Sequence, residues 1–127
     1  MKGYVDNIEK ISEENSFFRQ VLYTSQHQQL VVMCLLPNEE IGMEVHEITD
    51  QFIRIEEGEG KAIMNGEERL IKEGDAIIIP AGTQHNIVNT SADMKLRLYT
   101  IYSPPHHKDL TVHKTKAEAE ADAEDHL

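Results

Sequence analysis

The chain has 127 residues, enough to close one small core and too few for two, so a single domain with a single site is expected. Its 23 acidic residues against 12 basic ones give a formal charge of -11, which opposes a phosphate backbone or an anionic bilayer and argues against nucleic acid and membrane as partners. No run of about 18 apolar residues occurs, and Met1-Lys2-Gly3-Tyr4-Val5-Asp6 lacks the apolar centre of a signal peptide, so a soluble, cytoplasmic protein is expected.

Residues 1–20 read as an N-terminal extension. Ile8, Ile11, Phe17 and Phe18 suit a short amphipathic helix, and Ser12-Glu13-Glu14-Asn15 reads equally well as a loop. Short β-type runs follow: Arg19 to Thr24, then Leu30 to Leu36, with Ser25 to Gln29 as a hairpin connection. Cys34 lies inside the second run; alone and without a nearby positive charge, it is expected to act as a small buried hydrophobe. Pro37 to Gly42 breaks that run, because proline gives no ladder donor and glycine accepts turn angles.

Further strand candidates are Met43 to His46, Gln51 to Glu56, Gly60 to Asn65, Glu68 to Lys72, Ala76 to Ile79, His85 to Asn89 and Lys95 to Tyr102. Asn65-Gly66 carries the type I′ hairpin signal. About nine short strands with glycine turns and no helical pattern between them predict an all-β, antiparallel barrel or sandwich over residues 21–103. Pro104-Pro105 ends it. Residues 104–127 are expected to be an irregular extension and an acidic, alanine-rich tail, with Lys116 to Asp125 a solvated helix at most because it has no apolar stripe. His106, His107 and His113 fall in this extension and are expected to be solvated, or else to hold adventitious metal together or line a pocket mouth.

Potential ligands occur in two sets. Glu44 and His46 are two apart on a strand and leave the same face, and a bend at Ile48-Thr49 would bring Gln51 alongside. Pro80-Ala81-Gly82 makes a turn that delivers His85 to the start of a returning strand. Glu44, His46, Gln51 and His85 supply the three or four N and O donors that a divalent cation needs at about 2.0–2.2 Å. Zinc, iron, manganese, nickel and copper all tolerate such a mixed set. Asp50 is the fallback if the register slips by one, although the slip would turn it to the opposite face.

The two sets resemble the two motifs of the cupin superfamily. The second is complete: Gly74, five residues, Pro80, one residue, Gly82, two residues, His85, three residues, Asn89. In the first, Glu44 stands where the family has its first histidine, His46 stands at the second, Gln51 takes the glutamate position and Gly58 closes the spacing. The resemblance runs from about Leu30 to Tyr102. It implies a double-stranded β-helix (jelly-roll), a metal between the two motifs and a homodimer. It implies also that Gly58, Gly74, Pro80 and Gly82 shape the backbone while Asn89 bonds a strand end and touches no metal. With Glu and Gln exchanged between positions, the ligand set also resembles that of zinc-dependent mannose-6-phosphate isomerases. Three functions are therefore expected as alternatives for a metal-binding cupin with a small-molecule ligand: a sugar-phosphate-type isomerase, a metal-dependent dioxygenase, or a non-catalytic binding or sensing module.

Overall fold

The computed structural model describes residues 2–122, which form two short helices and nine strands. In chain order these are α1 (Ile8–Glu14), β1 (Arg19–Thr24), β2 (Gln29–Leu35), β3 (Asp50–Glu57), β4 (Glu59–Met64), β5 (Glu67–Lys72), β6 (Ala76–Ile79), β7 (His85–Val88), β8 (Leu96–Ser103), β9 (Val112–His113) and α2 (Lys116–Ala121). The strands make a six-stranded sheet, β6-β3-β8-β2-β1-β9, and a three-stranded sheet, β5-β4-β7, with every pairing antiparallel.

Side-chain alternation drives the arrangement. Along β8 every second residue, Leu96, Leu98, Thr100 and Tyr102, is buried. Leu96, Leu98 and Tyr102 join Met33, Leu35, Ile53, Ile55 and, from the opposite sheet, Ala62 and Ile87 in one core. In β2 both faces are buried from Val31 to Leu35, because α1 packs across β2, β3 and β8 on the outside. Cys34 belongs to that run, and burial raises its thiol pKa, as befits an inert hydrophobe.

Helix α1 starts at Asn7, whose side chain accepts from the Lys10 amide at 3.0 Å, and takes in Ser12, Glu13 and Glu14. The Arg97 guanidinium fixes its far end by donating to the Asn15 carbonyl at 2.9 Å while pairing with Glu57. Asn65 (φ 49°) and Gly66 (φ 83°) close the β4–β5 hairpin in the left-handed conformation that the type I′ turn requires.

Three expectations are corrected. Met43 to His46 is not a strand: the chain pairs with β7 only at Glu40↔Val88 and Glu44↔His85. Between these bridges Gly42 takes φ 111° and its amide donates to the side-chain oxygen of Asn86 (2.9 Å) instead of to a backbone carbonyl, so the ladder is interrupted. Gln29 is not a turn residue; it opens β2 and is fully buried.

The stretch after Pro105 is also neither irregular throughout nor merely solvated. It returns to the barrel, where β9 pairs with β1, the Val21 amide donates to the Thr111 carbonyl (2.9 Å), and Ala119 of α2 enters the core. His107 and His113 are consequently buried, and His106 is half-buried. Helix α2 ends at Ala121; the remainder of the expected helix, to Asp125, lies largely outside the described residues. No helix among the described residues is long and apolar enough to cross a membrane.

Candidate metal centre

Glu44 and His85 exchange both backbone hydrogen bonds, Glu44 amide to His85 carbonyl at 2.8 Å and His85 amide to Glu44 carbonyl at 2.9 Å. This single bridge joins the two motifs. Two residues on, the His46 carbonyl accepts from the Gly82 amide (2.8 Å), which ties the first motif to the Pro80-Ala81-Gly82 turn. Asp50 caps the same turn by accepting from the Ala81 amide (2.8 Å); its side chain is exposed and serves the backbone.

Of the four residues expected as ligands, Glu44 and His46 lie together, and their ligand atoms fall within 4.8 Å of each other and of a His106 ring nitrogen. The His46 ring centroid is 5.1 Å from that of His85 and 4.0 Å from that of His106. Gln51, on β3, pairs across the sheet with Ile79 and with Tyr102, whose ring lies 5.8 Å from His46. Glu44, His46 and His106 line a cavity of about 330 Å³; Gln51 and His85 are buried and do not line it.

Hydrogen bonding decides which atoms face inward. The Nδ1 of His85 lies 2.8 Å from the Thr83 carbonyl, which can only accept, so Nδ1 carries the proton and Nε2 keeps its lone pair. In Gln51 the amide nitrogen donates to the Thr100 hydroxyl (3.0 Å), which itself donates to the Phe52 carbonyl (2.8 Å). The hydroxyl has only one proton, so it must accept from Gln51, and the amide is held with Oε1 on its other side.

Three buried atoms result, His46 Nε2, Gln51 Oε1 and His85 Nε2, none with a hydrogen-bond partner. Each such atom costs about 1–3 kcal/mol if it stays unsatisfied. Unpartnered buried atoms occur elsewhere in the described residues, at Ser12 and Arg54 for example, but these three are lone-pair donors that come from the two motifs. The residues therefore fit a divalent metal. Thr100→Val removes the group that orients Gln51, and it is expected to weaken metal binding about tenfold with the fold intact, measured by competition with a chelating dye.

His106, expected to be solvated or else to hold adventitious metal or line a pocket mouth, lines this cavity. It is placed by Gln29, whose Oε1 accepts from the amides of His106 (3.2 Å) and His107 (2.9 Å) and whose Nε2 donates to the His107 carbonyl (2.7 Å) and to Thr24 Oγ1 (3.1 Å). The Nε2 of His107 meets the Tyr102 hydroxyl at 3.2 Å. A polar residue opening an otherwise apolar strand, opposite a His-His pair that follows two prolines, was the available signal.

Burial, followed by the neighbouring His106, His85, His107 and Arg19, pushes the His46 imidazole down to about 3. It is thus neutral and able to donate a lone pair at neutral pH. In metal-free protein the unfolded chain takes up this proton near pH 6.5 and the folded chain only near 3, so stability is full above about 6.5 and is lost as pH falls toward 3. The ceiling is about 5 kcal/mol; solvent entering through the cavity reduces the expected loss to about 2 kcal/mol. Urea titrations of wild type and His46→Ala between those pH values measure it, and equal slopes in the two proteins would contradict it.

The Cupin domain family pattern matches residues 31–102. The chain is 44% identical to the uncharacterized protein YrkC of Bacillus subtilis (strain 168), over 98% of this chain and 69% of that one. It is 46% identical to the uncharacterized protein L612 of Acanthamoeba polyphaga mimivirus, over 82% of this chain and 67% of the relative. The crystal structure of BH2720 from Bacillus halodurans superposes with a TM-score of 0.91 at 43% identity, covering 94% of this chain and 95% of the other. With the motif pair joined across Glu44 and His85 and the family pattern spanning the barrel, the chain belongs to the cupin domain family.

Proposed function

We propose that the protein is a metal-dependent cupin that holds one divalent transition metal through Glu44, His46, Gln51 and His85 and takes a small molecule in the adjoining cavity. That His46 Nε2, Gln51 Oε1 and His85 Nε2, from the two motifs, are all buried without a hydrogen-bond partner supports this reading. Glu44, within 4.8 Å of the His46 ligand atom, supplies the one anionic donor, and His106 stands at the same distance as a further donor or as a group that meets the ligand. When bound, the metal would supply Lewis-acid polarisation of a ligand oxygen, or dioxygen chemistry if it is iron or copper.

The protein's own groups set what is possible around it. His46 is neutral and has the His85 and His106 rings beside it, Tyr102 and His107 form a hydrogen-bonded pair nearby, and His106 and His107 line the same cavity. In an isomerase Glu44 could serve as the base only by giving up its role as the carboxylate donor. A dioxygenase or a binding module makes no such demand. Metal analysis of purified and reconstituted protein tests the reading: about one equivalent per chain is expected. Less than about one-tenth equivalent after reconstitution with zinc, iron, manganese, nickel or copper would sink it.

A further inference from the structure

On β3 the residues Gln51, Ile53 and Ile55 are buried, so Asp50, Phe52 and Arg54, which alternate with them, belong to the outer face of the six-stranded sheet. The pairing register puts Ile78 of β6 opposite Phe52, Phe52 opposite Ile101 of β8, Ile101 opposite Leu30 of β2, and Leu30 opposite Tyr23 of β1. These uncharged side chains form a row straight across five strands, about 19 Å long at the usual strand spacing. None of them is buried, and Ile78 is 67% exposed. Helix α1 stands to one side of the row, where the Asn15 carbonyl after its last turn accepts from Arg97, four residues before Ile101 on β8.

The charges around the row are few and placed in opposition. The chain has 23 acidic residues, yet among the paired residues of the row and of the rows on either side of it only Asp50 and Arg54 are charged. They flank Phe52 at two residues before and two after, about 7 Å to either side. Arg54 is poorly satisfied by its own chain. Its Nε lies 3.8 Å from a Glu56 carboxylate oxygen, too far for a hydrogen bond, and has no hydrogen-bond partner among the described residues. Asp50 accepts from the Ala81 amide through Oδ1, and a carboxylate has a second oxygen to offer.

We infer that this face docks a second copy of the chain, packed face to face about a two-fold axis that runs along the apolar row. Under that symmetry β3 crosses its copy antiparallel at Phe52, every residue of the row meets its counterpart, and Asp50 of each copy stands over Arg54 of the other. Aligned sheets cross at about 30°, which shifts the paired charges by roughly 3–4 Å at their distance from the crossing, a gap that a long arginine side chain spans. A two-fold axis along β3 would instead set Asp50 against Asp50 and Arg54 against Arg54. The same two charges thus support one arrangement and reject the other. Because α1 lies to one side of the row, the symmetry carries the second α1 to the opposite side and leaves the row open to both copies. The occupant is a second copy because a neutral, self-complementary face lets two chains of formal charge -11 approach without adding acid to acid. The face lies on the reverse of β3 from Gln51, so the inference is independent of the metal.

Sedimentation equilibrium of the full chain between about 1 and 100 μM tests it, and a dimer with a dissociation constant in the micromolar range or tighter is expected. Ile78→Glu, at an exposed position, is expected to weaken that dimer at least about tenfold with an unchanged circular dichroism spectrum. Arg54→Glu makes both charged positions acidic and Asp50→Lys makes both basic, and each acts twice in a symmetric pair. Each variant alone is expected to self-associate at least about tenfold more weakly than wild type, while an equimolar mixture forms a heterodimer at least about tenfold more tightly than either variant pairs with itself. A monomer throughout the concentration range, a dimer that tolerates Ile78→Glu, or a mixture that associates no better than its separate components would overturn the inference. Should Asp50→Lys, which also loses the bond to Ala81, fail to fold, wild type and Ile78→Glu still decide.

Discussion

Replacing His85 by alanine is expected to weaken metal binding at least about 100-fold while changing the stability of the metal-free protein by no more than about 1 kcal/mol. A ligand and a structural histidine differ in this respect. The His85 ring gives up one hydrogen bond, Nδ1 to the Thr83 carbonyl, when it is removed, but its buried Nε2 is unsatisfied and its loss removes a cost. The two effects nearly cancel. Two positions along β7, Ile87→Ala provides the contrast: that side chain is 1% exposed and part of the core, so its truncation should cost about 2–4 kcal/mol and leave metal binding alone. Chemical denaturation of apo protein together with metal competition separates the cases. If His85→Ala were as destabilised as Ile87→Ala and still bound metal, the side chain would be structural.

Gly60→Ala is expected to be a severely damaging small substitution outside the site, at about 3–5 kcal/mol and roughly 10–20 °C in Tm. A Cβ at this position of β4 would lie 2.2 Å from the Val88 carbonyl oxygen and 3.3 Å from the Leu96 side chain. The first contact is with backbone. Relief requires β7 to move away from β4, yet their pairing through Lys61↔Val88 and Met64↔His85 also places His85, so metal binding should weaken along with the fold. Gly66→Ala is the control. It carries φ 83° with nothing within 4 Å of the added Cβ, and it should cost only the left-handed strain, about 1–2 kcal/mol. Equal losses in the two variants would show that crowding at Gly60 is not the cause.

What could be read from the sequence was what repeats at short range. Alternating β-branched runs, glycine turns and Asn65-Gly66 marked the strands because each is a local steric signal, and Arg19 to Thr24 and Ala76 to Ile79 have the expected bounds. Asn89 was legible as a hydrogen-bonding residue: its amide nitrogen serves the carbonyls of Leu35, Leu36 and Met94, and its oxygen accepts from Ser91. The bridge at Glu44 and His85 was half-legible. Spacing put Glu44 and His46 on one face, but nothing local shows that Gly42 interrupts the ladder by borrowing the Asn86 side chain.

The C-terminal stretch was misread for a physical reason. A two-residue strand such as β9 has no periodicity, and an alanine-rich helix shows no stripe when a single alanine, Ala119, is the side chain it buries. Long-range partners supply what the local pattern lacks. Gln29, 77 residues before His106, holds that segment against β2, and Arg19 meets His113, 94 residues later. The sequence motifs therefore pointed to one wall of the site; His106 and His107 entered the reading only as residues that could line a pocket mouth, and Arg19 was unseen.

Anomalous diffraction from crystals of the metal-reconstituted protein, collected on either side of the metal's absorption edge, tests the central claim most directly. One difference peak is predicted, within about 2.0–2.3 Å of His46 Nε2, Gln51 Oε1, His85 Nε2 and a Glu44 carboxylate oxygen. A peak bound by His106 or surface carboxylates with His85 and Gln51 left out, or no peak at full reconstitution, would contradict it.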